Sequence, residues 1–262
     1  MHAPMKAKKY LGQHFLQDSN VCKQIVEAFS THVQQPYTFL EIGPGQGALT
    51  SFLVQKQLPN LYLVEVDTDL VSYLRQVYPG LSDHIIEADF LTLDLAKKWP
   101  GPIGVIGNFP YNISSQIFFK VLHFRDQVQE VVCMVQKEVA ERITAQPGCK
   151  AYGIPSVLLQ TFYKIDYLFT VGPELFRPPP KVHSAVVRLQ RNTIQQLPCK
   201  ETTFFKLVKL GFQQRRKKLR NALGGIGLPS NIMQLPLLTQ RAEELRIEDF
   251  INLAQHVDNI IV

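Results

Sequence analysis

The sequence predicts an α/β fold, a doubly wound and mostly parallel sheet, with a small C-terminal all-helical domain. Two observations indicate the sheet: short apolar segments alternate with segments of helical spacing, and a glycine-rich loop follows the first strand. A third indicates the second domain, since a polar linker at residues 190–202 is followed by helical segments without a strand signal. We therefore expect a sheet domain at residues 1–190 and a helical domain at residues 191–262.

The predicted strands are short, apolar and rich in β-branched residues, as buried strands are. Proline at position 110 cannot continue a ladder, so the chain turns after the fourth of them. They cover residues 37–42, 61–66, 84–88, 103–107, 130–136, 163–171 and 183–189.

The predicted helices lie between these strands and after the linker. Ser114 and Ser115 are suited to cap one of them, and Pro79-Gly80 ends another. In chain order they cover residues 48–57, 69–78, 114–124, 137–145, 203–213, 215–223 and 239–257.

Composition limits the class of protein. The chain has 262 residues, 45% of them apolar, which is enough for a full core. The net charge of +6 favours an anionic partner. Four scattered cysteines without a CxxC pair predict no zinc site or other metal and no disulfide framework. The N-terminus has no apolar signal core and no apolar run has membrane-spanning length, so we expect a cytoplasmic, soluble protein.

A glycine loop, Gly43-Pro44-Gly45-Gln46-Gly47, connects the first predicted strand to a helix. Glycines at this place let the backbone approach a ligand closely. The spacing is GxGxG and not the GxGxxG of dinucleotide folds. A ligand-binding loop and a plain strand-to-helix turn both fit it.

Two acids lie at the ends of the next two predicted strands. Glu65 follows the loop by about twenty residues, the place of an acid that accepts hydrogen bonds from ribose hydroxyls. Asp89 ends the third strand and could accept from an adenine amino group. The alternative for either residue is a solvated acid at a strand end. NAD and S-adenosylmethionine both fit a glycine loop with such acids.

The fourth strand ends in Gly107-Asn108-Phe109-Pro110-Tyr111-Asn112, which separates these two cofactors. The segment resembles the N-P-P-Y pattern of amino-directed methyltransferases. The Asn108 side chain and the Phe109 carbonyl could hold the N–H groups of an adenine amine, which aligns a poor nucleophile. Tyr111 would stack on a base that is single-stranded or flipped out. A turn without catalytic role is the alternative.

With these residues the chain resembles the ribosomal RNA adenine N6-dimethyltransferases, and within that family the small-subunit enzymes. The motifs that carry the resemblance span nearly the whole chain: Gly12–Leu16, Glu41–Gly45, Val64–Asp67, Glu87–Phe90, Gly107–Asn112, Gln136–Val139, Lys150–Gly153, Phe176–Ser184 and Phe212–Leu223.

The resemblance implies a class I, Rossmann-like methyltransferase sheet and a helical domain that binds rRNA. It implies transfer of four methyl groups from S-adenosyl-L-methionine to two adjacent adenines in the 3′-terminal hairpin loop of small-subunit (16S) rRNA. It also implies a partner that is a late 30S assembly intermediate and a link to kasugamycin sensitivity. We separately expect a monomer.

The resemblance also assigns site residues. Asn108, Phe109, Pro110 and Tyr111 face the target base, and Phe176, before a rigid proline run, is a second stacking face or ordinary core. His14 stands where many relatives have Asn, and Phe109 where Leu is common. The residues implied around the methyl donor are Gln13, His14, Leu16, Gly43, Gly45, Glu65, Asp89 and Asn108.

Basic residues form a cluster in the second domain. We expect them to contact rRNA phosphates, the alternative being a solvated helix. Lys6, Lys8 and Lys9 form either a second contact or part of an N-terminal tail. The cluster itself consists of Arg215, Arg216, Lys217, Lys218 and Arg220.

Other functions stay open at this point. The related large-subunit rRNA methyltransferase of macrolide resistance shares the glycine loop and an N-x-P-Y motif. A non-catalytic rRNA-binding assembly factor could keep the same fold, although such a protein should have lost the motifs around Glu65 and Asn108. An NAD-dependent dehydrogenase is a more distant alternative.

Overall fold

The computed structural model of the chain describes residues 7–30 and 37–259. These divide into two compact units. The first unit extends to Ala140 and includes Lys164–Arg191, and the second contains Glu141–Tyr163 and the residues from Asn192 onward. The sequence-based boundary at residue 190 differs, because it assigned residues 141–163 to the sheet domain.

A hydrogen bond and a ring contact tie the middle segment into the second unit. Gly148 N donates to Glu243 O over 2.7 Å, and the buried Tyr152 ring meets Phe212 edge-on with 5.9 Å between centroids. Both partners lie far along the chain, so the sequence held no local sign of this arrangement.

Nine strands lie in the described residues. They are β1 (Phe15–Leu16), β2 (Thr38–Ile42), β3 (Leu61–Glu65), β4 (Ile85–Glu87), β5 (Ile103–Asn108), β6 (Val128–Gln136), β7 (Tyr163–Val171), β8 (Phe176–Arg177) and β9 (Ser184–Arg191).

Seven of these strands form one sheet in the order β4-β3-β2-β5-β6-β9-β7. The pairs from β4 to β6 are parallel, and β9 is antiparallel to β6. The predicted mostly parallel α/β sheet is therefore confirmed. From β2 the chain goes to β3 on one side and later to β5 on the other, a switch point that opens a crevice at the carboxyl ends of both strands.

The helices in the described residues follow the strands closely. In chain order they are α1 (Ser19–Ala28), α2 (Thr50–Gln55), α3 (Thr68–Val77), α4 (Leu95–Lys98), α5 (Ser114–His123), α6 (Lys137–Thr144), α7 (Ile154–Phe162), α8 (Glu201–Gln213), α9 (Leu219–Ala222), α10 (Ser230–Met233) and α11 (Ile247–Asp258). Short 3₁₀ helices cover Lys9–Leu11, Pro79–His84, Phe90–Thr92, Pro173–Leu175, Gly224–Ile226, Pro236–Thr239 and Ala242–Glu244.

Two predicted helices of the second unit are shorter than expected. Residues 215–218 are not helical, because Lys218 is extended in a bridge with Arg241 and Leu219 N donates to Gln240 O. A helix there would also bring like charges one turn apart. The last helix starts only at Ile247, where the Asp249 carboxylate accepts a hydrogen bond from Arg246 N at 2.8 Å.

The structure also bears on disulfide bonds, membrane-spanning helices and metal ligands. The four cysteines are free. In the described parts of the chain, no helix is long and apolar enough to cross a membrane. The same residues contain no group of three or more His, Cys, Asp or Glu side chains that could hold a metal ion.

Candidate active site

A cavity lies in the first unit at the carboxyl ends of β2, β3 and β5. Its volume is about 980 Å³, including the part that opens to solvent. Its walls are the glycine loop, the strand ends and the segment Leu11–Leu16. This is the crevice expected at the switch point of the sheet. The predicted residues Gln13, His14, Leu16, Pro110 and Tyr111 all line it.

The glycine loop adopts backbone angles that favour glycine. Gly43 has φ of 62° and Gly45 has φ of 58°. A side chain at Gly43 would enter open space, since the nearest atom to its Cβ is a Pro110 carbon at 4.0 Å. At Gly45 a Cβ would lie 3.1 Å from the Phe15 ring. The loop therefore keeps the space in front of it free for a ligand.

Glu65 ends β3 and is only 5% exposed. Its carboxylate accepts hydrogen bonds from Gly45 N at 3.2 Å and from Val66 N and Asp67 N at 3.0 Å each. Burial raises the pKa of Glu65, and the three backbone N–H groups oppose that shift. The same carboxylate that was predicted to meet a ligand thus also holds the glycine loop in place.

Glu41 is a cavity-lining acid that the sequence analysis did not assign to the site. It lies inside β2, is 1% exposed and accepts a hydrogen bond from Thr50 Oγ1 at 2.7 Å. Burial raises its pKa to about 8 despite the Thr50 hydrogen bond, and the nearby Glu65 charge raises it further. This carboxyl is therefore mostly protonated at neutral pH.

The segment before β1 is fastened beside the cavity. Gln13 Nε2 donates to Asp67 Oδ2 at 2.9 Å, and Gln13 Oε1 accepts from Lys8 N at 2.8 Å. Burial opposes ionisation of Asp67, but hydrogen bonds from Lys8 and Gln13 hold its pKa below the ordinary value. Both ends of the Gln13 amide are used within the protein, which points to a structural contribution.

The prediction of a basic N-terminal contact needs correction at Lys8. Its ammonium forms ion pairs with Asp67 at 2.6 Å and Asp69 at 2.7 Å, so it holds the segment and is not available for phosphate. These hydrogen bonds raise the pKa of Lys8. Lys9 is exposed, and Lys6 lies outside the described residues.

Asp89 lies in the cavity wall two residues after β4 and is exposed. Its Oδ1 accepts a hydrogen bond from Leu91 N at 2.8 Å and starts the short helix Phe90–Thr92. Ala88 N donates to Glu65 O at 2.9 Å, which keeps the two predicted acids side by side. Asp89 Oδ2 receives no hydrogen bond from the described part of the chain.

Asn108 ends β5 with its amide orientation set by the N-terminal segment. Asn108 Nδ2 donates to His14 O at 2.9 Å. Neither Asn108 Oδ1 nor the Phe109 carbonyl receives a hydrogen bond from any described residue. The Phe109 ring is buried against Phe118, so the backbone carbonyl is the part of this residue that can act at the cavity. The arrangement offers two neighbouring acceptors.

Tyr111 stands at the cavity wall with its ring stacked on His14, at 5.5 Å between centroids and 28° between planes. Its hydroxyl hydrogen-bonds Ser184 Oγ at 2.5 Å. Burial raises the pKa of Tyr111, and the Ser184 contact opposes the shift. His14 Nδ1 is 2.8 Å from Pro178 O, which only accepts, so Nδ1 carries a proton.

Phe176 does not lie where the stacking prediction put it. Its ring is 1% exposed and belongs to the hydrophobic core, and Phe176 pairs with Leu16 between β8 and β1. It is not part of the cavity wall. The ring that stacks on Tyr111 in the cavity wall is His14, for which the sequence predicted only a cofactor contact.

The basic cluster of the second unit is only partly available. Arg215 forms an ion pair with Glu243 at 2.5 Å and donates to Cys149 O at 3.3 Å, so its predicted phosphate contact needs correction. Glu243 lies 28 residues away and could not be paired with Arg215 from the sequence. The remaining four cations are exposed: Arg216, Lys217, Lys218 and Arg220.

Comparison with known proteins identifies the family to which the chain is similar. The family model for ribosomal RNA adenine dimethylase matches residues 5–259. A relative from Cytophaga hutchinsonii, named ribosomal RNA small subunit methyltransferase A, is 51% identical and covers 95% of this chain and 96% of its own length. A relative of the same name from Bacteroides thetaiotaomicron is 49% identical, covering 98% and 96%.

Solved structures show the same fold. A dimethyladenosine transferase from Plasmodium falciparum has a TM-score of 0.80 at 22% identity and covers 95% of this chain and 99% of its own. The 23S rRNA methyltransferase ErmE has a TM-score of 0.68 at 24% identity and covers 92% and 99%. At these identities the likeness concerns the fold alone.

Proposed function

Because the chain belongs to the ribosomal RNA adenine dimethylase family, we propose that it acts on the small subunit. It transfers methyl groups from S-adenosylmethionine to N6 of two adjacent adenines in the 3′-terminal hairpin loop of 16S rRNA. The names of its curated relatives and the motifs Gly107–Asn112 and Phe176–Ser184 support this substrate.

The cavity fits S-adenosylmethionine. Gly43 leaves open space before the loop, Glu65 offers a buried carboxylate for ribose hydroxyls, and Asp89 offers a free oxygen for the adenine amine. When bound, this donor supplies a methyl group that its sulfonium has already activated. Leu16 and His14 would close the same cavity from the N-terminal segment.

The orientation of Asn108 is the observation that carries the proposal. Its Nδ2 is used by His14 O, which leaves Oδ1 as an acceptor beside the free carbonyl of Phe109. Two such acceptors would hold the two N–H groups of an adenine amine and turn its lone pair toward the methyl donor. This is alignment and electrostatic preorganisation, and it needs no strong base.

Tyr111 supplies the surface on which the target adenine would rest. Its ring is fixed from both ends, by Ser184 at the hydroxyl and by His14 along the face. A fixed ring can stack on a base without first losing its own freedom, so stacking costs little entropy. The base must be unpaired or flipped out to reach it.

The exposed cations of the second unit are proposed to contact rRNA phosphates. Arg216, Lys217, Lys218 and Arg220 are not buried, and their contacts would position the RNA without reading its sequence. We further propose that the enzyme acts as a monomer in the cytoplasm on a late 30S assembly intermediate, and that its methylation is linked to kasugamycin sensitivity.

The test is transfer of labelled methyl from S-adenosylmethionine to unmethylated small subunits, with large subunits and free rRNA in parallel. We expect label on adenines of small subunits alone. Label on large subunits would overturn the substrate and favour the resistance-type relative. Cofactor binding without any transfer would indicate a protein that works by binding rRNA.

A further inference from the structure

Lys120 on α5 makes contacts that the reaction outlined above does not use. Its ammonium donates hydrogen bonds to Leu91 O at 3.0 Å and to Leu93 O. It also lies over the Phe90 ring, 5.5 Å from the centroid, and over the Phe124 ring at 5.3 Å. A solvated lysine on an amphipathic helix would make none of these contacts, so this side chain has a local task.

The segment held by Lys120 is the loop that begins with Asp89. The other hydrogen bonds in it are local: Leu91 N to Asp89 Oδ1, Thr92 N and Thr92 Oγ1 to Asp89 O, and Leu93 N to Phe90 O. Within the described parts of the chain, the hydrogen bonds that reach Asp89–Leu93 from a distant residue come from Lys120. Without them the loop would rest mainly on the buried Phe90 ring.

The position of Lys120 on its helix gives this contact a consequence. Helix α5 begins at Ser114, three residues after Tyr111, and Ser114 Oγ donates to Tyr111 O at 3.2 Å. One end of the helix therefore supports the residues for the target base, while Lys120 near the other end holds the loop that carries Asp89. The ammonium also meets the carbonyl end of the short helix Phe90–Thr92, where a cation is favourable.

We propose that Lys120 is a positioning residue, which fixes the loop Asp89–Leu93 on α5 and thereby directs the Asp89 carboxylate at the adenine of the methyl donor. The inference rests on the proposed function, because it takes Asp89 to be the adenine acceptor. It extends that function by naming the residue that makes the methyl-donor site selective for the adenine amine of the donor. An acid on a loosely held loop would accept other purines more readily.

The test compares S-adenosylhomocysteine with S-inosylhomocysteine by calorimetric titration. The inosyl ligand carries a carbonyl in place of the amine and a proton on the neighbouring ring nitrogen N1. In Lys120→Met the stem remains but the donors are lost. We expect the dissociation constant for the adenosyl ligand to rise roughly three- to tenfold, the scale of one hydrogen bond, and the preference over the inosyl ligand to fall by a similar factor. An unchanged preference would overturn the positioning role.

Lys98→Met is the matched control. Lys98 also lies over an aromatic ring, Trp99, at 5.4 Å from its centroid, but it is exposed and does not bond to the loop. It should leave both constants unchanged, and an equal loss of preference in the control would overturn the inference. If Lys120→Met does not fold, Lys120→Gln replaces it under the same criteria, since its shorter side chain cannot span both carbonyls.

Asp89→Ala, which removes both acceptor oxygens, separates the inference from the proposed function. If this variant keeps the full preference for the adenosyl ligand, the adenine role of Asp89 fails, and the positioning role with it. If Asp89→Ala loses the preference and Lys120→Met does not, only the positioning role fails. If Lys120 acts through Asp89, adding Lys120→Met to Asp89→Ala should change the constants no further.

Discussion

The Asn108 amide is fixed through Nδ2, and its Oδ1 is free to accept. Replacing this side chain tests its assigned role directly. Asn108→Ala should keep the fold and lower methyl transfer by about a hundred- to a thousandfold, as for loss of one preorganised polar group at a reacting centre. Single-turnover transfer of labelled methyl, together with thermal unfolding, measures both. Asn112→Ala, an exposed neighbouring amide, is the control. Near-normal turnover of Asn108→Ala would contradict the assignment.

Glu41 predicts a pH dependence of stability. Its pKa is raised from 4.5 to about 8 in the folded protein, so between these values the folded state holds a proton that the unfolded state has released. Stability should therefore fall as pH rises through that window, by up to ~1.4 kcal/mol per pH unit from this group.

Glu41→Gln tests the sign of this effect. Glutamine can still accept the Thr50 hydrogen bond but does not ionise. Urea unfolding at several pH values from about 5 to 8 should show a flatter dependence for the variant, with its largest gain over the native protein at the alkaline end. Parallel curves for the two proteins would show that the Glu41 carboxyl is not protonated in the folded state.

Residues at strand ends were predictable, and residues defined by distant partners were not. Glu65 and Asp89 could be found because parallel strands bring their carboxyl ends to one edge of the sheet. Glu41 lies inside a mostly apolar strand, where an acidic residue gives no local sign of a cavity. Phe176 precedes prolines, but nothing in that pattern tells which way its ring faces. Lys8 meets Asp67 across 59 residues, which no local pattern records.

At the level of elements, β6 and β9 are joined by an ion pair between the buried Glu130 and the half-buried Arg188. Glu130 is 4% exposed and accepts from Arg188 Nε at 2.6 Å, from Ser30 N at 2.9 Å and from Ser30 Oγ at 3.1 Å. Arg188 also donates to Ser30 Oγ at 2.6 Å. The network links the end of α1 to the antiparallel side of the sheet.

Removing one partner should therefore destabilise the sheet without touching the cavity. Glu130→Ala leaves Arg188 without a carboxylate and Ser30 N without its acceptor, and we expect a loss of about 2–4 kcal/mol in the free energy of unfolding. Urea denaturation measures it. The dissociation constant for S-adenosylmethionine, taken where the variant is folded, should stay unchanged. Asp83→Ala, at an exposed acid of the first unit, serves as the control.

Helices and strands with a clear period of apolar residues were predicted well. Elements that form only through pairing with a distant segment were not. The central strands matched because their apolar runs are bounded by turns. The strands β1 and β8 have two residues each and exist only through their pairing with one another. Residues 215–218 read as helical, but the bridge of Lys218 with Arg241 outweighs local propensity.

For the whole molecule, the alternation of strands and helices was enough to predict the sheet. Which segments of the chain belong to the helical unit was not predictable. The linker at residue 190 is visible as a polar stretch. The inclusion of residues 141–163 in that unit depends on contacts such as Gly148 with Glu243 and Tyr152 with Phe212, which join segments far apart in the chain.

Binding of rRNA gives the last prediction, which concerns the charge of the helical unit. Neutralising Arg216, Lys217 and Arg220 to glutamine should weaken rRNA binding and lower the slope of log K against log salt by about two, since each phosphate contact to a single strand contributes about 0.7. Arg215 is kept, because its ion pair with Glu243 is structural. Filter binding over a range of salt concentrations measures the slope.

A control variant with the same change in net charge separates direct contact with phosphates from the general attraction between the unit and RNA. Lys200, Lys206 and Lys209 are exposed in the same unit, and replacing all three by glutamine changes the net charge by the same amount. If the four exposed cations contact phosphates, the slope of log K against log salt should fall by about two only in the first triple variant. Equal slopes for both variants would mean that the unit attracts RNA through its general charge and that the cluster makes no direct contact.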